Sequence, residues 1–189
     1  YDNSARYTSN PNLKPKVVTY GIEASAELFE LAFQLYVDQE NQLDKISKHI
    51  DEYNKRVLLN ATKFQLEQDP NNADEWCFLG QVYLSTHEFA KAHASFKKSI
   101  ELDPNNADAY YYLGIYHRFK KDLHKAEHFF IKTLQLKNRN AKAHGNLGLI
   151  YIEKKLYHQS KKHFQRALEI NPSDEMARKK IQALERNGF

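Results

Sequence analysis

Along most of the chain, apolar residues recur three and four positions apart, with polar residues on the opposite side of the same turns. That spacing predicts amphipathic helices. Trp76, Leu79, Gly80 and Tyr83 form one stripe, Phe89, Ala92, Phe96 and Ile100 a second, and Ser85-Thr86-His87 is a short polar break between them. The unit reads helix–turn–helix, and it returns every 34 residues. Leu79, Leu113, Leu147 and Ile181 share a column; so do Gly80, Gly114 and Gly148, then Ala92, Ala126 and Ser160. Phe96, Phe130 and Phe164 make a further column, and Ile100, Leu134 and Leu168 another. A fixed period of this length predicts stacked copies of one supersecondary unit.

Each column has a physical role. Asn72, Asn106, Asn140 and Asp174 precede the apolar runs, where a side-chain oxygen can cap a helix by accepting an orphan backbone N–H. Asn72 with Glu75 has the spacing of a reciprocal capping box. Glycine in the first helix, opposite Ala or Ser in the second, lets two backbones approach closely, and the Phe fills the wider part of the wedge. Pro70, Pro104 and Pro172, with Asn138 in the same phase, close each unit because proline cannot continue a helix.

The ends depart from the period. Residues 1–20 are rich in Asn, Ser, Pro and Lys and are expected to form an irregular or flexible arm, with Gly21 at its junction. The apolar block from Leu28 to Tyr36 predicts a helix from near Ser25 to about Val37, covered on more than one side. Leu43, Ile46, Ile50, Tyr53, Val57 and Phe64 fall on heptad spacing, predicting one long helix over about 40–68. Together these form an atypical helical pair over 21–69, stacked on the first repeat. Glu175 to Arg186 keeps the phase but turns polar, as a solubilising terminal cap over 175–189 should.

The run Trp76-x2-Leu79-Gly80-x2-Tyr83, Ala92-x3-Phe96, Pro104 resembles the tetratricopeptide repeat signature at every marked position. The second and third rows match more loosely: Tyr110 and His144 stand in the Trp column, His117 replaces the second aromatic, and Ser160 the Ala. His87, Lys121 and Lys155 occupy the turn position that usually holds a small residue, which predicts strained or reshaped turns. The stretch Asp74-Glu75-Trp76 to Tyr83 is also similar to repeats in bacterial cytochrome c maturation factors, a likeness that many families share. The resemblance implies an all-α fold. Its architecture is an α-solenoid, a right-handed superhelix of three repeats at about 73–106, 107–140 and 141–174 within the segment 70–174.

The same resemblance implies a concave groove lined by the first helix of each repeat. It assigns Asp74, Cys77, Phe78, Gln81, Leu84 and Ser85 from the first, Asp108, Tyr111, Tyr112, Ile115, Arg118 and Phe119 from the second. From the third come Lys142, Gly145, Asn146, Leu149, Ile152 and Glu153. Cys77, Gln81, Leu84, Tyr111, Tyr112, Ile115, Arg118, Phe119, Lys142, Asn146, Leu149 and Ile152 are the expected partner-binding residues. The centre is apolar and aromatic with charge at its margins, the composition of a surface that holds an amphipathic helix or extended peptide. Family members that grip a carboxy-terminal carboxylate place Lys, Asn and Arg where this chain has Cys77, Gln81, Tyr112, Lys142 and Asn146. Only Lys142 agrees, so no carboxylate clamp is expected.

Composition narrows the classes further. The 189 residues are 41% hydrophobic and 13% aromatic, enough to bury a core, and only 6 Gly and 5 Pro argue against an all-β fold. No apolar stretch is long enough to cross a membrane. One cysteine, Cys77, excludes an internal disulfide and any zinc site built on two thiolates, without indicating a compartment. The chain starts at Tyr1 instead of Met, which points to sequence upstream. The formal charge of +4 hides an asymmetry: residues 1–106 carry 11 Lys and Arg against 16 Asp and Glu, residues 107–189 carry 17 against 8.

No catalytic constellation, phosphate loop or nucleophile elbow is present, so neither enzymatic activity nor a cofactor is expected. His124 and His128 have metal-ligand spacing but are expected on the solvated convex side without a third ligand, and no metal site is assigned. Lys154, Lys155, Lys161, Lys162, Arg166, Arg178, Lys179 and Lys180 are read as a solvated face before a nucleic-acid surface. The leading expectation is a non-enzymatic adaptor that holds another protein's helix or peptide. Three alternatives remain open. The chain's own 25–37 helix could cover the groove. Copies could join head to tail through the acidic and basic ends, or the domain could serve a larger assembly or biogenesis machine.

Overall fold

The computed structural model describes residues 18–19, 22–23 and 43–189. The chain divides into two compact units between Tyr53 and Asn54. In the first, β1 (Val18–Thr19) pairs antiparallel with β2 (Ile22–Glu23), Val18 opposite Glu23 and Thr19 opposite Ile22. Three of these four residues are β-branched and suit a ladder, so this part of the arm is paired instead of irregular. The helix expected over 25–37, its suggested cover of the groove, Gly21 and the rest of the arm lie outside the described residues. Helix α1 (Leu43–Gln68) matches the long helix expected before Pro70.

The second unit is a ladder of helical hairpins. Helices α2 (Ala73–Ser85) and α3 (Phe89–Leu102) form the first, α4 (Ala107–Phe119) and α5 (Leu123–Leu136) the second. Helices α6 (Ala141–Glu153) and α7 (Tyr157–Ile170) form the third, and α8 (Glu175–Arg186) follows. Each hairpin packs on itself and on the next, α3 against α4, α5 against α6, α7 against α8. This is an α-solenoid.

The caps form as the 34-residue columns require. Asn72, Asn106, Asn140 and Asp174 accept from the backbone N–H three residues ahead, at 3.1, 2.9, 2.9 and 2.9 Å. The reciprocal half of the capping box at Glu75 is replaced: the Asn72 N–H donates to the Asp69 carbonyl supplied by the preceding turn (3.3 Å). Asn106 also donates to Asp74 Oδ1 at 2.8 Å, riveting one cap to the preceding repeat. Trp76 Nε1–H donates to the Pro70 carbonyl at 2.8 Å, so the Trp column holds the loop that enters the repeat.

Inside each hairpin a phenylalanine is pressed onto a glycine. Phe96, Phe130 and Phe164 are fully buried. A Cβ built on Gly114 would stand 2.7 Å from Phe130 Cε1, and one on Gly148 2.7 Å from Phe164 Cε1, far inside van der Waals contact. Ser160 fits the small-residue column because its hydroxyl donates to the Gly148 carbonyl at 2.8 Å, which the close helix approach brings within reach. The turn residues His87, Lys121 and Lys155 adopt φ of 61, 59 and 60°, the left-handed region that side chains avoid. The strain that the sequence implied at these three turns is therefore present.

Helix α1 docks on the first hairpin through a face that heptad spacing did not indicate. Leu59, Thr62 and Leu66 pack inward, whereas Ile50, Val57 and Phe64 are exposed. Leu66 lies one period before Ile100, and Thr62 one period before Phe96, so α1 ends as a degenerate second helix of a repeat. Its Thr62 hydroxyl donates to the Leu58 carbonyl at 2.8 Å and brings no ring to the wedge. At the far end α8 buries Ala177 and Leu184, packs Ile181 partly against the same cluster, and leaves most of its other positions exposed, as a cap should.

Two substitutions test these features by thermal or urea unfolding. Gly114→Ala should lower stability by about 1–2 kcal/mol. Overpacking against an immobile ring costs about 1–3 kcal/mol and exceeds the ~1 kcal/mol that alanine returns in helix propensity; a midpoint equal to or above that of the unchanged protein contradicts the wedge. Lys155→Gly should raise stability by a few tenths to about 1 kcal/mol. Relief of a left-handed backbone, worth about 1–2 kcal/mol, outweighs glycine's ~0.5–1 kcal/mol entropy cost, and a loss of stability would contradict it.

Candidate functional site

The first helices of the three hairpins, α2, α4 and α6, carry the residues expected in the groove. Because the apolar stripe of each is wider than one contact, several side chains turn one side to the core and the other to the surface. Leu84 and Tyr112 pack partly against the first core cluster, Tyr111 and Ile115 against the second, Leu149 and Ile152 against the third. All six are half-buried.

Aromatic contacts hold the centre rigid. Tyr112 stacks on Phe96 with rings 5.6 Å apart and 8° from parallel. Tyr111 meets Tyr112 edge-on at 5.2 Å and tilts against Phe130 at 5.7 Å. Asn146 Nδ2 lies 3.4 Å from the Tyr111 hydroxyl and 2.9 Å from the Lys142 carbonyl, tying the second repeat to the third. Burial pushes the Tyr111 and Tyr112 phenols above their ordinary range, so both remain neutral donors at physiological pH.

Two expected residues sit elsewhere than the middle of this surface. Cys77 is 3% exposed and belongs to the core with Leu66 and Leu79. Burial pushes its thiol up to about 11, and Gln81 Nε2 lies 3.7 Å from its sulfur. It fills space as a small hydrophobe and offers neither partner contact nor thiolate. Phe119, 59% exposed, lies at the turn end of α4, where one face of its ring stacks on Phe89 at 4.6 Å. Lys120 Nζ sits 5.4 Å from the centre of that Phe89 ring. Gln81, Arg118 and Asn146 are half-buried and Lys142 is exposed, so polar groups stand beside the aromatic centre.

Phe78, in the groove set but outside the twelve expected binding residues, is an exposed apolar ring on α2. His124 and His128 are exposed, as their spacing suggested. Among the described residues no group of three or more His, Cys, Asp and Glu could hold a metal ion. The sequence did not show that His144 and His163 meet, Nδ1 to Nδ1 at 3.1 Å, because they lie 19 positions apart on different helices. Of the eight clustered basic residues, four are already paired: Lys154 with Glu127, Lys161 with Glu185, Arg166 with Glu169 and Lys179 with Glu175. This is the arrangement of a solvated face.

Residues 24–178 match the family described as Cytochrome c-type biogenesis protein H TPR domain. The chain belongs to that family. Solved structures agree on the fold of this domain. The crystal structure of MamA is 24% identical with a TM-score of 0.62, over 79% of this chain and 85% of that one. YrrB, described as a TPR protein with an unusual peptide-binding site, is 26% identical with a TM-score of 0.62, over 67% of this chain and 66% of that one. The first TPR of Spaghetti (RPAP3), solved with the HSP90 peptide SRMEEVD, is 19% identical with a TM-score of 0.59, over 63% and 94%. None of the curated proteins matches the chain in sequence. Tetratricopeptide repeats are interaction modules, and no helix among the described residues is long and apolar enough to cross a membrane.

Proposed function

We propose that this domain is a non-enzymatic adaptor in cytochrome c-type biogenesis that holds an apolar helix or peptide of another protein along α2, α4 and α6. The observation that carries the reading is the row of half-buried apolar and aromatic side chains: Leu84, Tyr111, Tyr112, Ile115, Leu149 and Ile152. They are already ordered by the core, so a partner that covers their outer sides loses little side-chain entropy in the complex. Phe78 and Phe119 extend the apolar surface, while Arg118, Lys142 and Asn146 set direction and register.

The peptide-binding site of YrrB, a structure similar to this one, supports the mode of action. The family description supports the setting. A carboxylate clamp is not part of the proposal, since Cys77 is core and Tyr112 lies on Phe96 where converging amide and ammonium donors would be needed. Head-to-tail self-association is the second reading; the opposite net charges of the two halves of the sequence favour it.

Crosslinking to a captured partner identifies the bound segment, and its affinity is then measured as a synthetic peptide. Phe119→Ala combined with Tyr111→Ala should weaken it by roughly 30-fold or more, as loss of an interface anchor worth about 2 kcal/mol does, with little dependence on salt. Phe78→Ser, at a site outside the core, serves as the control that cannot be blamed on unfolding. Unchanged affinity in both folded variants rejects the groove. A protein that dimerises at low salt and separates at high salt favours self-association instead.

A further inference from the structure

We propose that His144 of α6 and His163 of α7 form a two-point binding site for a late first-row divalent ion, Cu(II) or Ni(II) ahead of Zn(II). Their Nδ1 atoms face each other at 3.1 Å, with ring centres 5.3 Å apart and ring planes at 40°. Two metal–nitrogen bonds of about 2.05 Å spanning that gap would meet at about 100°. This lies nearer the right angles of square-planar and octahedral ions than the tetrahedral angle, and Cu(II) and Ni(II) also bind imidazole strongly.

The ligand atoms are presented by the fold. His144 stands in the column where Trp76 donates its ring N–H to the Pro70 carbonyl, and its own ring hydrogen-bonds the backbone of Asn138, one of the same series of turn residues. With Nδ1 turned to His163, Nε2 is the nitrogen left for that bond. A ligating histidine commonly has such an outer partner, which sets the ring's orientation and leaves the other nitrogen's lone pair for the ion. In the metal-free protein both rings are neutral and one proton lies between the two Nδ1 atoms; on binding that proton moves through solvent to His163 Nε2, both imidazoles stay neutral, and two metal–nitrogen bonds replace the one hydrogen bond.

The surroundings suit an incompletely coordinated ion. A hollow of about 380 Å³ opens beside the pair, lined also by Tyr151, Gln159, Lys162 and Arg166, and leaves room for water or a small anion at the remaining positions. The Arg166 charge is met by Glu169 at 2.6 Å, which lessens its repulsion of a cation, and Lys162 favours an anionic co-ligand. Two imidazoles without a carboxylate do not suit Ca(II) or Mg(II), which require oxygen ligands. The one thiol is buried in another repeat, so ions that need thiolate find none here.

The test uses the full chain, stripped with chelator and titrated with Cu(II) or Ni(II) chloride. We expect one equivalent to bind. The Cu(II) electron paramagnetic resonance spectrum should show coupling to two imidazole nitrogens, and the His144 and His163 ring signals should broaden before those of His124 and His128. His163→Gln should weaken binding at least tenfold, while the paired change His124→Gln, His128→Gln leaves it intact. Loss of binding only in the latter pair would assign the ion to the exposed helical pair and overturn the proposal. So would no binding at millimolar metal, or first broadening elsewhere in the unmutated protein.

Discussion

The structure depends on a steric constraint repeated three times: a fully buried phenylalanine ring lies against a glycine that has no room for a methyl group. Gly80, Gly114 and Gly148 in the first helix of each hairpin leave the notch into which the Phe96, Phe130 or Phe164 ring of the second helix is driven. Each hairpin is therefore locked by one such ring wedge, and the three hairpins repeat it. Because each wedge touches only its neighbours, stability accumulates repeat by repeat instead of through one central core. The three separate hydrophobic clusters are the visible form of that arrangement.

The wedge also creates the proposed binding face. Its ring takes up the interior of each hairpin, so the first helix is left with more apolar surface than it can bury. Tyr111, Tyr112 and Ile115 are consequently held in place on one side and available on the other. On this proposal the binding surface needs no flexible loop or dedicated pocket. The proposed function would then share its residues with the fold, and partner specificity would come from polar groups beside them such as Arg118, Lys142 and Asn146.

Much of this was legible in the sequence because the repeat writes each role three times. The caps at Asn72, Asn106 and Asn140, the Gly–Phe wedge and the strained turn at Lys155 all follow from columns. Features built from two columns at once were not legible. Cys77 occupies a groove position by register, yet it is buried in the first core cluster with Asp108 and Tyr112 of α4 beside it, and no spacing rule reports a neighbour's cover. The docking face of α1 is not the heptad row of Val57 and Phe64, which is exposed, but the side marked by the repeat period through Leu66. The His144–His163 pair needed the helix packing itself, since His144 alone looks like a departure from an aromatic column and His163 shares its column with Ser95 and Phe129.

The most direct measurement of this account is the cooperative unfolding of a chain from which residues 107–140, one whole period, have been removed. Asn106 would then cap the helix that Asn140 caps now, and the first hairpin would meet the third through the columns that join neighbours already. The account predicts a folded, helical protein that melts in one transition at a lower temperature, while removal of one residue fewer, which breaks the register, does not fold. If the in-phase deletion collapses and the out-of-phase one is no worse, the nearest-neighbour wedge is not what builds this molecule.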